Sequence, residues 1–259
     1  MDGKIIPYSF DESLKLGLYN NVPFMIGNMG QETDQYPNKI VTGYSQEEWK
    51  QLLESTFTSW DNNNQHKKII KTGDEMYEIY RQDSLENPQK AFDSIVSDYG
   101  LGCASIILSR NSLPPSGNYS SKIYVYVNQW NLSLAFAQSP NYHVHYAFHL
   151  LDLVMLTEDW SSLGNGSYIP QESDLKAKRS LQSIWYNFLT TGIPMISSTD
   201  GSEEVIKWYP IDYNEQWPLV YNTFVLKNNT SENVLNYRSN ICEYFNKIEL
   251  DHKKFWWSN

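Results

Sequence analysis

The stretch Val22-Pro23-Phe24-Met25-Ile26-Gly27-Asn28-Met29-Gly30-Gln31-Glu32 carries the first sign of the fold. Its apolar run, residues 22–26, predicts a short, fully buried strand that ends at Gly27. A carboxylate, Glu32, follows just beyond that glycine-marked exit. In α/β sheets the loops at the carboxyl ends of strands build the active site, so a carboxylate here is placed to orient a histidine. From this segment alone a solvated loop glutamate is the commoner outcome.

Outward from this stretch, Ser45-Gln46-Glu47-Glu48 is a capping box. Trp49, Leu52, Leu53 and Thr56 follow it at helical spacing. A longer helix starts at Pro88, with Ala91, Phe92, Ile95 and Val96 on one face. It is interrupted near Gly100-Leu101-Gly102 and resumes through Cys103, Ile106 and Ile107. Lys122-Ile123-Tyr124-Val125-Tyr126-Val127-Asn128 is β-rich, alternating branched and aromatic residues. Leu181, Ile184, Trp185, Phe188 and Leu189 trace an amphipathic stripe stopped by Gly192 and Pro194. Thr223-Phe224-Val225-Leu226 reads as a last strand. Strands separated by helices predict an α/β fold with a mostly parallel sheet flanked by helices. No Pro/Gly/Ser-rich linker marks a domain boundary.

The 259 residues hold 20 Lys+Arg against 30 Asp+Glu, a net charge of −10. An acidic surface repels phosphate backbones and anionic lipid, which argues against nucleic acid and membrane surfaces as partners. No apolar run reaches the ~18–20 residues of a membrane span, and the run 150–156 is broken by Asp152. Met1-Asp2-Gly3-Lys4 lacks the basic-then-apolar design of a signal peptide. The aromatic content of 15% points to a packed core rather than disorder.

Two cysteines, Cys103 and Cys242, read as separate buried thiols in an arbitrary cytosolic chain. Five Asn-x-Ser/Thr sequons stand at Asn118, Asn131, Asn165, Asn228 and Asn229. With this much Asn, Ser and Thr about four arise by chance, so they support secretion only weakly. Three of the five histidines fall within His143-Val144-His145-Tyr146-Ala147-Phe148-His149. His143 and His145 share one face of an extended segment, which makes a metal site conceivable. It is the weaker idea, because zinc needs a third and fourth ligand and no further cysteine or histidine lies nearby. A histidine reached by a carboxylate is different: the carboxylate fixes its tautomer and stabilises the imidazolium.

These residues together resemble the C-terminal half of the type-B carboxylesterase/cholinesterase family, which includes the non-catalytic, neuroligin-like adhesion proteins. The segment 22–27 followed by Glu32 is similar to the family's strand and loop bearing the acidic triad member. His149-Leu150-Leu151-Asp152-Leu153 is similar to its His-x-x-Glu/Asp-Leu signature, in which the histidine is the catalytic base. Residues 181–194, from Leu181-Gln182-Ser183-Ile184-Trp185 to Gly192-Ile193-Pro194, resemble its Trp-x-x-Phe-x-x-x-Gly-x-Pro helix. Trp208-Tyr209-Pro210 and residues 223–226 fit its closing strand region. Cys103 and Cys242-Glu243-Tyr244-Phe245 match a family disulfide. The acid-then-histidine order also agrees with the Ser…Asp/Glu…His order of α/β-hydrolases.

The resemblance implies a serine carboxylic-ester hydrolase using an acyl-enzyme mechanism, with Glu32 as triad acid, His149 as base, a small carboxylic-ester substrate and no cofactor or metal. Two local departures stand out. Thr33 occupies the place of the usual glycine after the acid, and Tyr146 replaces a small residue before the histidine, where it is expected to crowd the pocket. The larger departure is that no Gly-x-Ser-x-Gly nucleophile elbow occurs anywhere in the sequence. Residues 1–259 are therefore expected to be the C-terminal portion of a carboxylesterase type-B domain, inactive without an N-terminal half that carries the serine. Non-catalytic, neuroligin-like recognition is the alternative. The implied disulfide points to an oxidising, secretory compartment, makes the five sequons plausible glycosylation sites, and attributes the missing signal peptide to truncation.

Overall fold

The computed structural model describes residues 3–9, 12–13, 16–58, 72–112, 122–196, 206–212, 215–216, 219–228 and 230–248. Its centre is a four-stranded sheet. Strand β1 (Phe24–Met29) pairs in parallel with β2 (Ile123–Asn128), in register from Phe24↔Ile123 to Met29↔Asn128. Strands β3 (Phe136–Ser139) and β4 (Tyr142–Val144) form a separate hairpin, and β5 (Met195–Ile196) pairs with β6 (Ile206–Lys207). Strand β7 (Asn222–Leu226) joins β2 in parallel, and β8 (Glu232–Leu235) closes the main sheet antiparallel to β7. The strand order is β1-β2-β7-β8.

Strand β2 is buried along its whole length. Its side chains alternate between two apolar layers, as the period-2 geometry of a strand requires. Tyr124 and Tyr126 enter one layer with Trp208, Phe224, Leu151 and Leu181. Ile123 and Val125 enter the other with Trp49, Tyr80, Ile95 and Ile106. The second layer is built by α1 (Gln46–Thr58), α2 (Thr72–Glu86), α3 (Pro88–Ser97) and α4 (Cys103–Asn111). The first is built by α5 (Leu151–Thr157) and α6 (Glu172–Thr191), and α7 (Ser239–Ile248) packs on the second.

Local chemistry explains the element boundaries. The Ser45 hydroxyl and backbone N–H both donate to Glu48 Oε2 at 2.8 Å, which caps α1 as the sequence predicts. Asn87 caps α3 by accepting the Gln89 N–H at 2.9 Å, with Pro88 in the first turn. Gly73 is required where α1 and α2 meet, because a Cβ there would lie 2.5 Å from Glu54 Cα. Gly192 ends α6 at φ +76°.

Four expectations are corrected in detail. The run 22–26 is not fully buried: Val22 and Phe24 are 58% and 48% exposed, because among the described residues β1, which starts at Phe24, has β2 on one side and no strand on the other. The strand also runs past Gly27 to Met29, since Gly27 is there to admit the Tyr126 ring, which a Cβ would meet at 2.2 Å. The break at Gly100–Gly102 is a π-turn, Asp98–Gly102, inside a continuous helical path from α3 to α4. Leu189 is 75% exposed rather than part of the buried stripe. It lies eight residues beyond Leu181, about 80° round the helix, at the edge of the apolar arc.

The absence of a membrane-length run is also qualified. Residues Pro88–Arg110 are long and apolar enough to cross a membrane by length and composition, yet 67% of their most apolar window is buried inside the fold. This is the behaviour of a core helix.

Candidate functional site

The site forms where β1 ends. After Met29 the chain turns through Gly30 and Gln31, and the Gly30 N–H donates to the Asn128 carbonyl at the end of β2. Glu32 then lies beneath the loop that joins β4 to α5 and carries His149. Two backbone bonds hold these loops together: Gln31 N–H to the Ala147 carbonyl at 3.0 Å, and His149 N–H to the Glu32 carbonyl at 3.1 Å. The Glu32 N–H donates to Ser97 Oγ at 2.6 Å, and that hydroxyl donates to the Asp93 carbonyl, so α3 supports the acid from behind.

Glu32 Oε2 meets His149 Nδ1 at 2.7 Å, while Oε1 accepts the Met29 N–H at 2.7 Å. The two partners differ in solvation: the Glu32 side chain is 4% exposed and that of His149 is 60% exposed. Burial raises the Glu32 carboxyl above its ordinary value, opposed by the Met29 N–H and by His149. Because Oε1 is engaged by the Met29 N–H and Oε2 faces the ring, Nδ1 carries the proton toward Oε2, and Nε2 is left as a proton acceptor on the exposed edge of the ring. Leu150, directly after the histidine, adopts φ +67°, a left-handed conformation that costs about 1 kcal/mol in a non-glycine residue. This sharp turn starts α5 while leaving His149 outside it.

Asp152, the last acid of the His149-Leu150-Leu151-Asp152 segment, does not touch the histidine. Its Oδ2 accepts the Tyr126 hydroxyl at 2.8 Å. Burial and the Asp152 charge push the Tyr126 phenol well up, so it stays a donor. The segment thus places the histidine against Glu32 at one end and anchors the central strand at the other. Beside the pair opens a cleft of about 470 Å³, walled by Tyr36, Asn38, Phe148, Leu150, Ser162 and Leu163 among others.

The remaining sequence candidates distribute as follows. Cys103 and Cys242 form a disulfide that ties the start of α4 to α7. His143 and His145 are exposed around β4, and among the described residues no group of three or more His, Cys, Asp or Glu could hold a metal ion. Asn165 and Asn228 are exposed and Asn131 is half-buried, whereas Asn118 and Asn229 lie outside the described residues. Tyr146 does not crowd the cleft, as its hydroxyl turns away to accept Asn87 Nδ2 at 2.8 Å. Thr33 donates to Asp93 at 2.8 Å.

Sequence reasoning missed the polar layer under the acid. The signal for it is a row of polar residues one helical turn apart, Gln89, Asp93 and Ser97, inside an otherwise apolar helix face. It missed equally the buried network of Asp98, which accepts the Tyr80 hydroxyl at 2.8 Å and lies 3.4 Å from Arg238 Nε.

A mostly parallel sheet with helices on both faces, carrying loops at its strand ends, is here an α/β-hydrolase fold. The chain belongs to the carboxylesterase family, whose sequence profile matches residues 1–245. Two solved structures are similar over most of the chain. One, a PNB esterase, is 17% identical with a TM-score of 0.55 over 94% of this chain and 42% of its own length. The other, a thermophilic PNB esterase, is 17% identical with a TM-score of 0.56 over 95% of this chain and 42% of its own. This chain therefore spans less than half the length of those proteins. No curated protein sequence matches it.

Proposed function

We propose that this chain supplies the acid and base of a serine carboxylic-ester hydrolase, with Glu32 orienting His149 and His149 acting as general base. The observation that carries this reading is the 2.7 Å contact between a buried glutamate and the Nδ1 of an exposed histidine. In the reaction, Nε2 takes the proton of an attacking serine, and Glu32 stabilises the imidazolium that forms. The imidazolium then protonates the leaving alcohol, and the freed base activates water to cleave the acyl-enzyme. No nucleophile elbow lies within the 259 residues, so the serine and the oxyanion donors come from sequence outside them.

Support for a larger assembly comes from β1, which among the described residues pairs on one side only, with Val22, Phe24 and Ile193 exposed. A further strand bearing the rest of the site would satisfy that edge and cover these side chains. The disulfide and the exposed Asn165 and Asn228 support a secreted, glycosylated protein. The substrate is a small carboxylic ester, and among the described residues no Lys or Arg lines the cleft to hold a charged group on it.

Hydrolysis of short p-nitrophenyl esters tests the proposal. The isolated chain should give no turnover. The longest natural product that contains it should turn over, and His149→Ala should cut kcat by a factor on the order of a thousand or more. A full-length product that is inactive toward all such esters refutes the catalytic reading and favours non-catalytic recognition.

A further inference from the structure

The residue two beyond the acid is aspartate, and it too bonds the histidine-bearing segment. Asp34 is fully buried. Its Oδ2 accepts two backbone N–H groups, from His145 at 2.8 Å and Tyr146 at 2.7 Å. Its Oδ1 accepts the Tyr142 hydroxyl. Three donors from the histidine-bearing segment thus converge on one carboxylate of the acid-bearing loop. Behind it, on the inner face of α3, lies Asp93, also fully buried. Asp93 accepts the Thr33 hydroxyl at 2.8 Å and Gln89 Nε2 at 3.1 Å, and is within hydrogen-bonding reach of Asp34.

Two carboxyls in contact and out of water cannot both be ionised, because each disfavours the charge of the other. Asp34 already accepts three donors, so Asp93 holds the proton and donates it to Asp34. Burial and the neighbouring Asp34 charge push the Asp93 carboxyl well up, in agreement with this arrangement. The charged and titratable groups facing the pair come from each packed element. They are Tyr142 and Tyr146 on the histidine segment, each acted on by both carboxyls, with Glu86 at the end of α2 acting in turn on Tyr146. Lys90 of α3 lies 5.9 Å from the centre of the Tyr146 ring and pairs with Glu86, so it leaves the acid pair uncompensated.

We propose that Asp34, backed by a proton shared with Asp93, is a positioning residue that locks the histidine loop onto the acid loop and so holds His149 against Glu32. When that proton leaves to solvent base, a second negative charge arises beside the first and the lock opens. The role given to the lock rests on reading Glu32 and His149 as the catalytic pair. The lock also accounts for Thr33 in the place of a glycine, because its hydroxyl ties the loop to Asp93.

Amide hydrogen exchange of residues 142–150 tests this in the full-length protein that contains the chain, followed from mildly acid to alkaline pH and corrected for intrinsic exchange. Asp34→Leu should speed exchange at His145 and Tyr146 by about tenfold or more, since both lose a charge-assisted acceptor. Asp34→Asn should stay within about threefold of wild type, because its carboxamide oxygen accepts both N–H groups and its NH₂ donates to Asp93. Wild-type protection should fall as pH rises, and Asp93→Asn should remove that fall. The proposal is overturned if Asp34→Asn loses as much protection as Asp34→Leu, or if Asp93→Asn keeps the wild-type pH dependence. Should Asp34→Leu fail to fold, the other two variants decide. Ester hydrolysis on the same samples separates the two readings: protection with no hydrolysis fails the catalytic reading alone, and hydrolysis without protection fails the lock.

Discussion

Replacing Cys103 and Cys242 together by alanine removes the bridge between the start of α4 and α7, two elements 139 residues apart in sequence. In the loop-closure treatment, a cross-link of that span restricts the unfolded chain enough to stabilise the fold by about 5 kcal/mol. Both sulfurs are buried, each residue being 3% exposed, so their removal also leaves a small void beside Tyr99 and Phe245. Set against a typical stability of 5–15 kcal/mol, the loss is a large fraction of the total. The assay is urea unfolding followed by tryptophan fluorescence under non-reducing conditions. With a denaturant slope of about 3 kcal/mol per molar, the midpoint should fall by about 1.7 M in the double variant. A shift smaller than about 0.5 M would refute the reasoning, and so would two free thiols titrated in the denatured wild type.

Other perturbations follow from the same contacts. Gly27→Ala places a methyl group 2.2 Å from the Tyr126 ring and should destabilise by about 1–3 kcal/mol, read as a lower Tm. It should also weaken the Tyr126–Asp152 hydrogen bond, because the ring must move. Glu32 has a folded-state carboxyl raised above its unfolded value, so the native state holds its proton to higher pH than the unfolded state does. Its contribution is therefore fully present below the unfolded value near pH 4 and is lost as pH rises through the folded value. Tm measured from acid to neutral pH should show this decline in wild type, and Glu32→Gln should reduce it. His149→Ala should abolish activity and also lower Tm by a few degrees, because it leaves the buried Glu32 Oε2 without its partner, at a cost of about 1–3 kcal/mol.

The elements legible in the sequence are those in which a strong period coincides with an end signal. Ser45–Glu48 and the stripe ending at Gly192 both gave the correct helix, and the alternation of residues 122–128 gave the central strand. Misreadings came where one residue answered to tertiary contact. Gly27 read as a strand exit but is a seat for an aromatic ring. Gly100–Gly102 read as a break, yet the helix absorbs the extra residue as a π-turn against the buried Asp98. Helices α2 and α7 and strand β8 were not legible, because their stripes are short or mixed with charge. Glu32 and His149 were visible only as candidates, since their 117-residue separation hides a 2.7 Å contact. The Asp34–Asp93 pair was not visible at all. A buried acid has no signature of its own in one sequence, and polar residues on a helix face ordinarily meet water.

Glu32 and His149 are proposed as the acid and base that serve a serine nucleophile outside these 259 residues. Fluorophosphonate labelling of the longest natural product tests it most directly, because the reagent captures a serine only when a neighbouring histidine activates it. Wild type should label stoichiometrically, His149→Ala should lose labelling and Glu32→Gln should label more slowly. A full-length protein that takes up no label, or one that labels at the wild-type rate after His149→Ala, would contradict it.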